Sequence, residues 1–368
     1  METMVVPIVK NKTGDVSDMD NYRPISLATI FAKVLDSMLS DHLSQYIKLH
    51  DAQFGFRAGL STESAILSLK NTVKLRVECI SLLKYWYANQ ANRVRWDGAV
   101  SERYILNCGL RQGGFSSPTM FNLYVNDLIA ELSSMHVGCH IDNVCVNNIS
   151  YPDDMVLLSP TIGGLRKLLK VCENYANEHG LSYNSKKSEV LIFKAGKLRP
   201  QDVPPVVLDG TELQIVKSFK YLGHMVTEDL KDDIDIERER RALAVRGNML
   251  ARRFARCSDG VKITLFKAYC TSFYTSSLWV RYSNRAYNAL RIQYNNIFRM
   301  LMGLPRRSSV SGIFAEARVD GFPAIIRKKA ASILRRVRDS DNSILRMISS
   351  RFDSKIKYHF INIQYPAT

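Results

Sequence analysis

The chain has 368 residues, 46% of them hydrophobic, and carries 51 Lys and Arg against 35 Asp and Glu, a formal charge of +16. That length holds two or three domains with sizeable cores, and the hydrophobic share excludes disorder as the default state. The positive excess suits a polyanionic partner, nucleic acid first and an acidic membrane surface second.

No run approaches the roughly 18 consecutive apolar residues of a membrane span, and METMVVPIVKNKTGD holds no signal-peptide apolar region. An intracellular protein without membrane insertion is expected. The seven cysteines, Cys79, Cys108, Cys139, Cys145, Cys172, Cys257 and Cys270, form no CxxC or Cys/His zinc spacing and read as reduced thiols.

The chain opens on a short strand, VVPIV, a polar loop and a helical stretch, LATIFAKVLDSMLSDHLSQYI, followed by the loop QFGFRAGLST. Lys10, Lys12, Arg23 and Arg57 lie on or beside these loops, and taken singly each reads as solvated surface charge. In NRVRWDGAVSERYIL, Asp97-Gly98 between alternating residues predicts a hairpin turn. The stretch GLRQGGFSSPTMFNLYVNDLIAEL predicts a helix with Ser117 as N-cap, Pro118 at its first position, and apolar residues at 120, 121, 124, 125, 128 and 132. The loop Gln112-Gly113-Gly114 feeds it.

In ISYPDDMVLLSP the pair Asp153-Asp154 interrupts two apolar runs, which predicts two strands around a tight acidic turn. Two readings stand at this point. One is a hairpin whose turn happens to be acidic. The other is a cation site, because adjacent carboxylates repel and lose hydration at a strand junction unless a cation sits with them.

Further on, GLRKLLKVCENYANEHGL predicts a helix with apolar positions 165, 168, 169, 172, 175 and 176, ended by Gly180. A strand pair at LSYN and EVLIFK is expected around Lys186 and Lys187. The order helix, acidic hairpin, helix, strand resembles a ferredoxin-like βαββαβ unit without its opening strand. LRPQDVPPVVLDG reads as a loop into another hairpin, and SFKYLGHMVT as a strand. From about Asp232 the chain is helical and basic, as in IERERRALAVRGNMLARRFARC, which places a domain boundary near 230 and divides the chain into 1–230 and 231–368. So many basic helices favour a nucleic-acid contact surface.

The ordered set NYRPISL, QFGFRAGLST, LRQGGFSSPTMFNLYVNDL, YPDD, GLSYNSKKSEVLIF and FKYLGH resembles the reverse transcriptases of non-LTR retrotransposons, from about Val5 to beyond Gly303. The later FYTSSLW and NNIFRMLMGLPRRSS also resemble the region C-terminal to the polymerase core in that family. The resemblance implies an α+β right-hand polymerase with fingers, a ferredoxin-like palm and a helical thumb, copying an RNA template from a DNA primer with deoxynucleoside triphosphates and two Mg²⁺ ions. Asp153 and Asp154 would be the metal-binding, catalytic pair, with Asp153 the better placed. Such a site holds its ions about 3.5–4 Å apart, one activating the attacking hydroxyl and the other steadying pyrophosphate. Gln112 and Gly113 would lie against the template–nucleotide pair. Lys10, Arg23 and Arg57 would contact triphosphate or template, and Lys187 would neutralise charge near the active site. The family's life cycle implies a nuclear location.

The sequence departs from the family at two points. The first catalytic aspartate belongs on a strand of the type FLDFSKAFD, yet here SLKNTVK runs almost directly into LRVECISLLKYWYANQANRV. Between Asp51 and Asp127 the only aspartate is Asp97, already assigned to a turn, so the palm is incomplete and lacks a metal ligand. The second departure is Pro152, where the family has a small residue. In a strand, proline deletes a ladder N–H and bends the chain. The pattern is that of a decayed or wrongly joined copy beginning inside the fingers. Beside an impaired polymerase, it leaves open a catalytically dead nucleic-acid-binding remnant and an unstable product without function.

Overall fold

The structure is a computed structural model that describes residues 2–11, 15–28, 30–44, 85, 88–105, 109–110, 112–114, 116–141, 144–194 and 203–350. The chain divides into two compact units, Met1–Tyr175 with Asp341–Ile344, and Ala176–Ser340 with the residues from Leu345 on.

In the first unit, a continuous apolar run forms most of β1 (Glu2–Val9), paired antiparallel with β2 (Tyr22–Leu27) from Met4↔Leu27 to Val9↔Tyr22. On its other edge β1 runs parallel to β3 (Ala91–Trp96), in register Glu2↔Ala91 to Val5↔Val94. β3 turns back through Asp97 (φ 44) and Gly98 (φ 82) into β4 (Ala99–Val100), and also pairs with β5 (Tyr104–Ile105). Two consecutive positive φ angles are what a two-residue hairpin loop asks for, and an Asp-Gly pair supplies them. Tyr22 packs edge-on against Trp96 with ring centroids 5.1 Å apart.

Helix α1 (Ile30–Ser44) follows β2, and helix α2 (Ser117–Ser134) buries Asn122, Val125, Leu128, Ile129 and Leu132. The N-cap of α2 is Ser116 rather than Ser117, which places Pro118 one position deeper. The Ser116 hydroxyl does not cap the helix and instead donates to Asp36 of α1. After α2 come β6 (Cys139–Ile141) and β7 (Val144–Val146), then β8 (Asn148–Tyr151) and β9 (Asp154–Leu157). Helix α3 (Ile162–His179) closes the series, with Leu168, Leu169, Cys172 and Tyr175 buried at the predicted spacing. The Tyr175 hydroxyl donates to the carbonyl of Tyr124 in α2.

The mixed α+β composition agrees with a polymerase-type domain. Between α2 and α3 the chain runs through β6, β7, β8 and β9, one hairpin more than the expected order helix, acidic hairpin, helix, and among the described residues β8 and β9 pair only with each other. The strand expected after α3 also differs. LSYN is irregular, and β10 (Glu189–Leu191) runs parallel to β13 (Gln214–Val216) rather than beside its neighbour in sequence.

In the second unit β11 (Val207–Leu208) and β12 (Thr211–Glu212) form the hairpin expected around Asp209-Gly210. SFKYLGHMVT is two strands, β14 (Ser218–Tyr221) and β15 (His224–Thr227), turning at Leu222-Gly223. Helices α4 (Asp233–Arg253), α5 (Asp259–Cys270), α6 (Asn284–Leu301), α7 (Ser311–Glu316) and α8 (Phe322–Arg338) come next, as the change of composition near residue 230 predicts. Their core is aromatic. Phe266, Phe273, Tyr294, Phe298, Phe314 and Phe322 interlock with centroids 4.7–6.2 Å apart, mostly tilted or edge-on, as ring quadrupoles prefer.

Candidate functional site

Residues of the first unit meet around β2. The carbonyl of Gln112 accepts the Ser26 N–H at 2.9 Å, so the glycine loop before α2 is stapled to the strand carrying NYRPISL. Gly113 is next, with φ 105, and a Cβ there would stand 3.3 Å from the Ser26 carbonyl. Only glycine takes that conformation without strain. Both Gln112 and Gly113 are exposed, as is Arg23, which sits opposite Ile8 on β2.

Lys10 closes the loop between β1 and β2. Its amide donates to the Asn21 carbonyl and its Nζ to the Asp20 carbonyl, both at 2.6 Å. Buried Asn21 donates from Nδ2 to the carbonyls of Asn11 and Asp15, each at 3.0 Å. Arg57 lies outside the described residues.

The acidic hairpin is where the sequence placed it, with Tyr151 paired to Asp154 and a two-residue turn of Pro152-Asp153. Pro152 is therefore in the turn and not in the strand, so it removes no rung of the ladder. Its φ is 27, however, whereas the pyrrolidine ring holds proline near about −65°. Asp153 and Asp154 are both exposed. Partial burial and then the neighbouring Asp153 charge push the Asp154 carboxyl above its usual range. The hairpin is positioned by Asn147, buried just ahead of β8, whose Nδ2 donates to the carbonyls of Leu132 in the last turn of α2 (2.5 Å) and of Val137 in the connection after it (2.8 Å). Sequence reasoning passed over Asn147, although a polar Asn147-Asn148 pair inside an apolar run was the available signal.

Two divalent ions need a bridging set of oxygen donors. Among the described residues no group of three His, Cys, Asp or Glu could hold a metal ion, and Asp97 is spent on the β3–β4 turn. Asp153 and Asp154 alone do not fit a two-metal centre. Lys187, in the second unit, is exposed on a short 3-10 turn, Ser185–Lys187, whose N-cap Asn184 accepts the Lys187 N–H at 3.2 Å. Among the described residues no helix is long and apolar enough to cross a membrane.

Residues 68–226 match the family described as Reverse transcriptase (RNA-dependent DNA polymerase). Curated relatives include the Retrovirus-related Pol polyprotein from type-1 retrotransposable element R2 of Popillia japonica. It is 25% identical over 267 residues, covering 61% of this chain and 37% of the relative. The RNA-directed DNA polymerase from mobile element jockey of Drosophila melanogaster is 21% identical over 397 residues, covering 93% and 42%. The Probable RNA-directed DNA polymerase from transposon X-element of the same fly is 22% identical over 331 residues, covering 77% and 36%. The chain thus spans less than half the length of these relatives. The jockey alignment runs over 397 positions while this chain has only 368 residues, so that relative carries residues within the matched span that this chain lacks.

Proposed function

We propose that the chain is a reverse transcriptase of the kind found in non-LTR retrotransposons by descent, that it keeps nucleic-acid binding, and that it has lost nucleotidyl transfer, a reading supported by the family match over residues 68–226 and by the relatives. One observation carries the loss. The only aspartate between Asp51 and Asp127 is Asp97, and its backbone, at φ 44, is committed to a hairpin turn. The length of the jockey alignment supports the reading that this chain lacks residues within the matched span.

In this reading Asp153 and Asp154 are the remaining pair of a Mg²⁺ site without its bridging ligand. Gln112 and Gly113 face template and nucleotide, Lys10, Arg23 and Arg57 face phosphate, and Lys187 balances charge. The polymerase-derived part is 1–230 and the basic thumb 231–368, a division supported by the end of the family match at 226 and the start of α4 at Asp233. The natural partners are RNA template and DNA primer, and the natural place is the nucleus.

The test measures a primer–template duplex with the purified chain and Mg²⁺. No nucleotide incorporation is expected, together with sequence-independent binding that weakens steeply from about 50 to about 200 mM salt, because phosphate contacts release counterions. Incorporation abolished by Asp153→Asn, or affinity indifferent to salt, contradicts the proposal.

A further inference from the structure

Three segments distant in sequence meet at one buried carboxylate in the second unit. Asp235, in the first turn of α4, is 0% exposed. Its Oδ1 accepts the Met225 N–H of β15 at 3.0 Å and Arg238 Nε at 2.8 Å, and its Oδ2 accepts Trp279 Nε1 at 2.8 Å and the Thr275 hydroxyl at 3.2 Å. His224, at the start of β15, stands between two carboxylates. Its Nδ1 is 3.2 Å from Asp235 Oδ2 and 3.1 Å from Thr275 Oγ1, and its Nε2 is 3.7 Å from Asp232 Oδ1. The other oxygen of Asp232 accepts the N–H groups of Val280 and Arg281, both at 2.8 Å. The tip of the same hairpin is held separately, by the Tyr274 hydroxyl donating to the Leu222 carbonyl at 2.8 Å.

We propose that His224 is a protonation-controlled clasp that fixes the β14–β15 hairpin to the helical bundle. The number of ring protons decides its strength. A charged imidazole has two N–H groups and serves Asp232 and Asp235 at once, while a neutral one has a single proton and serves only one of them. Deprotonation leaves two buried carboxylates facing each other across a neutral ring. The other charges at the junction are already engaged. Arg238 lies on Asp235 and 3.4 Å from Glu239, Arg246 is paired with Glu239, Lys231 is 2.9 Å from Asp229, and Lys194 is 2.5 Å from Glu228. Tyr282 also faces Asp232, and burial pushes its hydroxyl up to about 12, so it stays neutral.

Burial opposes the charge on His224, but the Asp232 and Asp235 carboxylates outweigh it and lift the imidazole from 6.5 to about 9. Burial likewise opposes the charge on Asp235, and the bonds from His224, Arg238, Trp279 and the Met225 amide outweigh it, holding the carboxyl well below its usual range. A raised folded-state value means that the stabilisation from His224 is complete below the unfolded value near 6.5 and is lost as pH rises through about 9.

The test is amide hydrogen exchange at Met225, expressed as a protection factor, from about pH 7 to about pH 10. Protection at Met225 and at the hairpin tip is expected to fall about tenfold for each pH unit between the unfolded value near 6.5 and the folded value of about 9 and to level off above it, while amides in α6 around Phe298 keep theirs. Asp235→Asn should lose Met225 protection already at neutral pH. Should that variant not fold, His224→Gln keeps a hydrogen-bonding side chain without a titration, and its Met225 profile should be flat. Protection that does not change with pH, the same midpoint in His224→Gln, or loss in step with the Phe298 amide overturns the clasp.

Discussion

At Pro152 the backbone turns with φ 27, a value a two-residue hairpin asks of its first loop position and a proline ring resists. The sequence pattern located the acidic turn correctly, but could not say which residue occupies it. With a strand assignment the proline costs a ladder bond, whereas in the turn it costs backbone strain, on the order of 1–3 kcal/mol for such a conformation. Pro152→Gly should therefore raise stability, by less than that amount because glycine also frees the unfolded chain. Equal denaturation midpoints for the two proteins would show the turn to be unstrained. Asp235 was illegible for a related reason. In DDIDIERERR it looks like one more surface acid, and only the tertiary approach of Met225, Thr275 and Trp279 makes it a buried hub.

Elements with a local period were readable in advance. Helices α2 and α3 follow apolar residues three and four apart, and the Asp97-Gly98 and Asp209-Gly210 turns arise from residues that accept positive φ. The parallel pairing of β10 with β13 was not readable, because 22 residues separate Leu191 from Gln214 and the one turn signal named between them, Asp209-Gly210, joins β11 to β12 instead. Helix packing was equally hidden. Gly247 in α4 lets α6 approach so closely that a Cβ would stand 2.6 Å from Ile297 Cγ1. Gly247→Leu should lower stability by about 1–3 kcal/mol through overpacking. Adding Ile297→Ala should recover part of that loss, since the two side chains compete for one space. Strictly additive effects in the denaturant titration of the double variant would contradict this close approach.

For the molecule as a whole, charge pointed to a polyanionic partner, motif order carried the resemblance, and the departure from the motif order carried the expected lesion. The resemblance could name a missing strand because its neighbours in sequence are present. Among the described residues the β8–β9 hairpin pairs with no third strand, and the buried Ser150 Oγ and Asn148 Oδ1 lack hydrogen-bond partners. The change of composition near 230 marks where the run of helices begins, whereas the cut between the compact units after Tyr175 falls inside the uninterrupted helix α3, where no local signal marks it. In the proposed reading the absent strand-plus-helix segment, not decay of the remaining motifs, silences the enzyme. Inserting an FLD-type segment between Lys74 and Leu75 and measuring Mg²⁺-dependent primer extension beside the unaltered chain tests this most directly. No extension is expected from the unaltered chain, and extension that disappears with Asp153→Asn is expected from the restored one. Extension by the unaltered chain with the same dependence on Asp153, or none by a restored chain that is folded and binds the duplex, would contradict it.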